Sequence, residues 1–98
     1  MPVLIVDDSR EDRTLFRNWL DRMPDCKFRI IEAANGEAGL NALNGQKPAC
    51  VILDVMMYGL DGFQWLTAAR QGRVAAPTIL VTGMPSESVA TRAKAYGA

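Results

Sequence analysis

Three short apolar runs in this chain each stop on a residue suited to phosphate or metal chemistry. Val3-Leu4-Ile5-Val6 runs into Asp7-Asp8, Cys50-Val51-Ile52-Leu53 into Asp54, and Thr78-Ile79-Leu80-Val81 into Thr82. Unbroken runs of this length read as strands buried on both faces, the pattern of a parallel sheet between helices. Parallel strands share one direction, so their C-terminal ends lie along one edge. That edge is where an open α/β sheet binds its ligands. Three carboxylates and a hydroxyl are therefore expected to converge in one crevice.

The segments between the runs read as helices. Ser9 is placed to cap the first, with Asp12 three residues on in a capping-box-like pair. Leu15, Phe16, Trp19, Leu20 and Met23 follow at three- and four-residue spacing, one apolar stripe. Pro24 and Asp25 end that helix. Phe28-Arg29-Ile30-Ile31 reads as a strand whose partial alternation suits a sheet edge. Asn35-Gly36 turns into a second helix closed by Gly45 and Pro48, a third runs from about Phe63 to Arg70, and Ser86 caps a last one reaching about Tyr96. Strands alternating with helices specify a parallel sheet with helices on both faces. Trp19, Phe16 and Phe63 read as core residues and Trp65 as partly exposed.

Ninety-eight residues make one small domain, and 49% hydrophobic residues are enough for a core. Eleven basic side chains balance eleven acidic ones. A neutral chain lacks the basic face of a nucleic-acid binder or a polybasic membrane anchor. No apolar stretch approaches the roughly 20 residues that span a bilayer. Met1-Pro2-Val3 enters a strand directly, with no signal-peptide pattern, and neither Cys26 nor Cys50 reads as half of a disulfide. Cytoplasmic residence is expected.

An acidic pair before a helix is commonplace, because a helix N-terminus stabilises carboxylates. Taken singly, Asp7, Asp8, Asp54 and Thr82 say little. Three carboxylates in one crevice, however, raise one another's pKa unless a positive charge sits among them. The chain has no histidine. Oxygen ligands alone favour a hard cation, Mg²⁺ or Mn²⁺. Mg²⁺ usually takes one or two carboxylates plus a phosphate, leaving one carboxylate free as a nucleophile able to form an aspartyl phosphate. A threonine hydroxyl nearby suits a phosphoryl oxygen.

In these residues the chain resembles the receiver domain of two-component response regulators. The likeness spans the whole chain. Asp7-Asp8 matches the family's acidic pair; Asp54, Met57 and Asp61-Gly62 match its phosphoacceptor loop; Thr82-Gly83 matches its switch residue and small neighbour; Ala90, Ala93, Ala95, Gly97 and Ala98 match its Ala-rich fourth helix. The resemblance implies a flavodoxin-like α/β/α fold with strand order 2-1-3-4. It implies that Asp54 accepts a phosphoryl group from a histidine kinase or phosphotransfer protein. Asp8, Asp54 and the backbone carbonyl of Met56 would bind Mg²⁺ (or Mn²⁺), with Asp7 assisting partly through water. Met57 and Gly83 would neighbour the phosphate, and Thr82 would move toward it and switch the partner surface. Such a module is not an enzyme, although it assists its own phosphorylation and dephosphorylation. Arg10, Arg13 and Arg17 on the first helix are candidates for the kinase-facing surface.

Two departures stand out. Tyr58 occupies the place where the family has proline. The family pattern also continues with a fifth strand, a Lys-Pro pair and a fifth helix, whereas this sequence stops at Ala98, so residues 1–98 read as a C-terminally incomplete receiver domain. The family's phosphate-binding lysine has no counterpart, and Lys94 and Tyr96 lie in the wrong element to replace the missing lysine and aromatic. The expectation is apolar surface left uncovered beside the first helix, a marginally stable monomer, and self-association through the fourth-strand side. Two other functions compete: a receiver-like interaction module that no longer switches, and a small phosphatase or phosphotransferase using an aspartyl intermediate. The second lacks the extra carboxylate near its nucleophile, because Val55-Met56-Met57 follows Asp54.

Overall fold

A computed structural model describes residues 1–24, 27–55, 57, 61–71 and 76–81. In chain order these form β1 (Pro2–Val6), α1 (Arg10–Asp21), β2 (Arg29–Ala33), α2 (Gly36–Gln46), β3 (Cys50–Asp54), α3 (Gly62–Gln71) and β4 (Thr78–Val81). The strands make one parallel sheet ordered β2-β1-β3-β4. The expected last helix, with Thr82, Gly83, Lys94 and Tyr96, lies outside the described residues, as do Cys26, Met56 and Tyr58. Among the described residues no helix is long and apolar enough to cross a membrane.

Each helix starts where its sequence offers a cap. The Ser9 hydroxyl accepts from the Asp12 N–H at 3.2 Å, and the Asn35 side chain from the Ala38 N–H at 2.8 Å, each satisfying an orphan donor of the first turn. Asp61 and Gln64 cap α3 reciprocally. Gln64 N–H donates to Asp61 Oδ1 at 2.8 Å, and Asp61 N–H donates to Gln64 Oε1 at 3.0 Å. The second helix passes through Gly45 and ends on Lys47, which carries the left-handed turn at φ 46°.

β1 lies between two strands, and Val3 to Val6 are all buried. Side chains alternate across a strand, so Leu4, Val6, Val51 and Leu53 point to one face. There they join Leu43 of α2 and Trp65, Leu66 and Ala69 of α3 in the core. Trp65 corrects the expectation of partial exposure: it is 1% exposed. Its indole N–H donates to the Gly36 carbonyl at 3.0 Å, so the polar atom that would favour the surface is satisfied inside.

The opposite face is less covered. Phe16, Trp19, Leu20 and Met23 from α1 and its end, with Ile52, Ile79 and Val81, line an apolar cavity of about 280 Å³. Phe16 and Trp19 are not core residues as expected. They meet edge to face at 5.7 Å, and Trp19 is 50% exposed. β4 is likewise not buried on both faces: Ile79 is 56% exposed. An apolar run reports what a strand can bury, and neighbouring elements decide what it does bury.

Two glycines of α2 separate packing from helix propensity. A Cβ on Gly39 would lie 2.9 Å from both Val6 methyls and from Trp65 Nε1, and that indole is already held by Gly36. A Cβ on Gly45 meets nothing within 4 Å. Gly39→Ala should therefore destabilise the domain by about 1–3 kcal/mol. Gly45→Ala should stabilise it by about 0.5–1 kcal/mol through propensity. Urea unfolding of the two variants should move the midpoint in opposite directions.

Candidate functional site

The register of the sheet builds the site. β1 pairs with β3 in parallel, Val6 opposite Leu53, so Asp7 leaves β1 level with Asp54 at the end of β3. Asp54 is in turn opposite Val81. Asp7, Asp8 and Asp54 each offer one carboxylate oxygen, and these atoms lie within 4.8 Å of one another. The expected convergence of the three acids is therefore present. Thr82, Gly83 and Met56, also expected here, lie outside the described residues. Met57 is buried in the apolar core cluster.

The three acids differ in setting. Asp8 is exposed and Asp54 half-buried. Asp7 is 3% exposed, and its Oδ1 accepts from the Ser9 N–H at 2.8 Å. Burial pushes its carboxyl up to about 6, opposed by the Ser9 hydrogen bond and assisted by the charges of Asp54, Asp12 and Asp8. A group of oxygens this close, one of them reluctant to ionise, fits a hard divalent cation.

The surrounding backbone is tightly drawn. Gly62 N–H donates to the Val55 carbonyl at 2.9 Å. A Cβ on Gly62 would sit 2.7 Å from the Asp54 carbonyl oxygen, so the start of α3 approaches the end of β3 this closely only with glycine there. On the other side, Arg13 Nη1 donates to the Asp7 carbonyl at 2.7 Å. Arg13 and Arg17 both pair with Glu32 of β2, at 3.3 and 2.6 Å. Those two arginines, expected as partner-surface candidates, thus turn to the sheet, while Arg10 is exposed. The hold of Arg13 between Asp7 and Glu32 had no sequence signal, because Glu32 meets it from β2, a strand far away along the chain.

Comparison with known proteins places this geometry. The response regulator receiver domain family matches residues 3–98. The chain is 32% identical over 85 residues to the alkaline phosphatase synthesis transcriptional regulatory protein PhoP of Bacillus subtilis, covering 87% of this chain and 34% of PhoP. It is 34% identical over 86 residues to the transcriptional regulatory protein SrrA of Staphylococcus aureus, covering 88% of this chain and 34% of SrrA. The chain thus spans about a third of the length of these curated relatives. Among solved structures, the chemotaxis protein CheY4 of Vibrio cholerae superposes with TM-score 0.87 at 28% identity, over 99% of this chain and 80% of that one. The N-terminal domain of a response regulator receiver protein from Methanoculleus marisnigri gives TM-score 0.84 at 32% identity, over 97% and 77%.

The raised carboxyl of Asp7 has a consequence for stability. Between about pH 4 and 6 the unfolded chain loses this proton while the folded chain keeps it, so stability falls as pH rises. Glu32 acts oppositely. The Arg17 hydrogen bond lowers its carboxyl, and its contribution is in place above its ordinary value of 4.5. Metal-free protein should therefore lose about 1 kcal/mol between pH 5 and 7.5. Asp7→Asn should flatten that slope in chemical denaturation.

Proposed function

The chain belongs to the response regulator receiver domain family, and on that premise we propose that it is a phosphoacceptor module in which Asp54 takes a phosphoryl group from the phosphohistidine of a sensor kinase or phosphotransfer protein. The observation that carries this reading is the meeting of three carboxylates from the ends of β1 and β3 within 4.8 Å.

Differences among the acids support the assignment of roles. Asp7 is buried, reluctant to ionise and hydrogen-bonded to Ser9, which makes it a poor nucleophile and a good neighbour for a cation. Asp54 stands half-buried at the last position of β3. In the transfer, an Asp54 carboxylate oxygen bonds to phosphorus, the P–N bond breaks, and the leaving imidazole takes a proton from solvent. The product is an aspartyl phosphate. Asp7, Asp8 and Asp54, with the Met56 carbonyl, would hold Mg²⁺ (or Mn²⁺), which supplies charge neutralisation and alignment of the transferring group. Gly62 lets the start of α3 lie close against the Asp54 carbonyl.

By likeness to the family, Thr82 would be the residue that moves to the new phosphate, and Met57 and Gly83 would neighbour it. Residues 1–98 would act as one receiver unit in the cytoplasm. Its role is regulatory rather than that of a turnover enzyme, and no nucleic acid or membrane is contacted directly by this domain.

Wild-type protein with Mg²⁺ and a small phosphodonor should label stoichiometrically, and Asp54→Asn should abolish labelling. The same variant should lose the Mg²⁺-dependent response to beryllofluoride. Stoichiometric labelling of the Asn variant would place the acceptor elsewhere. A wild-type chain that responds to neither reagent would be an interaction module of receiver shape that does not switch.

Self-association is the second element of the reading. It is supported by the open apolar cavity between α1 and β4, and by β4 lying at the sheet edge among the described residues. Sedimentation should show concentration-dependent dimers that Ile79→Lys shifts to monomer. A wild-type monomer at high concentration refutes association.

A further inference from the structure

Asp7 is held at three points. Its N–H donates to the Ala33 carbonyl at 3.1 Å, its Oδ1 accepts from Ser9, and its carbonyl accepts from Arg13 Nη1 at 2.7 Å. The first hold continues the sheet and the second starts the helix. The third is a side chain reaching back six residues to the last carbonyl before Asp8. We propose that Arg13 is a positioning residue for the acidic loop, fixing the Asp7 carbonyl and with it the spacing of the carboxylates that take the cation. This rests on the reading of those acids as a metal site.

The geometry distinguishes Arg13 from an ordinary surface arginine. Its side chain is 13% exposed, against 42% for Arg17. Its guanidinium is gripped from the far side by Glu32, whose Oε1 accepts from Arg13 Nε at 3.3 Å. Glu32 is itself fixed by Arg17, through Nε at 3.2 Å and Nη2 at 2.6 Å. Glu32 immediately precedes Ala33 on β2, the residue that takes the Asp7 N–H. The backbone of Asp7 is thus tied to two adjacent residues of one strand, its N–H directly to Ala33 and its carbonyl through Arg13 to Glu32. The planar fork of arginine can serve a carbonyl and a carboxylate in different directions at once, whereas a lysine ammonium is a single point.

Charge alone makes the opposite prediction from position. A guanidinium near the acids repels an incoming cation, so a purely electrostatic role means that removing it tightens metal binding. A positioning role means that removing it loosens binding, as outer partners of metal ligands do by about 10–100-fold.

Two variants of the full chain decide between them, Arg13→Met and Arg13→Lys, each read in two ways. Amide hydrogen exchange without metal should be at least about tenfold faster at Ser9 in both variants, while Val6 and Leu53 stay unchanged. Mg²⁺ titration by calorimetry should show at least about tenfold weaker binding in both. Tighter Mg²⁺ binding in the Met variant with no change in the Lys variant overturns the proposal in favour of charge alone. Faster exchange throughout β1 and β3 overturns it in favour of general stability. If the wild-type chain takes up no Mg²⁺, the metal reading fails. The exchange at Ser9 then still decides whether Arg13 holds the loop: a rise supports the hold, and no rise overturns it.

Discussion

Parallel pairing of β1 with β3 is the constraint from which the rest of the molecule follows. With Val6 opposite Leu53, the chain leaves both strands at one level and in one direction. Two acids on the first exit and one on the second then have nowhere to go but together. A one-residue slip would turn every side chain of β1 to the other face and undo the fit of Leu4 and Val6 in the core cluster, where Val6 packs against Gly39. Apolar packing on the sheet thereby holds like charges side by side at its edge.

Burying one of those acids carries a cost in stability: the carboxyl of Asp7 is pushed up to about 6 chiefly by burial, and further by the charges of Asp54, Asp12 and Asp8. The chain meets part of it locally. The Ser9 N–H stabilises the ionised form, and Ser9 also caps α1, so one residue serves the helix and the acid together. A cation seated among the three acids would offset that cost. The close approach of Gly62 to the Asp54 carbonyl is the same economy in backbone form.

The two faces of the sheet are unequal. Under α2 and α3, Trp65 fills the centre and hydrogen-bonds Gly36, and Gly39 makes room for it. Beneath α1 the surface stays open, and no residue of α1 is fully buried. The arginines of α1 turn instead to Glu32 on the edge strand β2, tying that helix to the sheet by charge as well as by its apolar stripe.

What the sequence by itself determined was local and periodic. The apolar runs, the cap at Ser9, the turn at Asn35-Gly36, and the placing of Asp7-Asp8 and Asp54 after their strands could all be read because each depends on a few neighbours along the chain. The meeting of those acids was legible too, since parallel strands leave no other place for them. Only the tertiary structure decided which aromatic was buried. Trp19 sits in an apolar stripe and is half exposed, whereas Trp65, in a short mixed helix, is at the centre. Nor could any spacing show that Arg13 reaches Asp7 while Glu32 grips it from β2. Burial and cross-strand partners depend on which elements come to lie over which, and that is settled by packing between segments far apart in sequence.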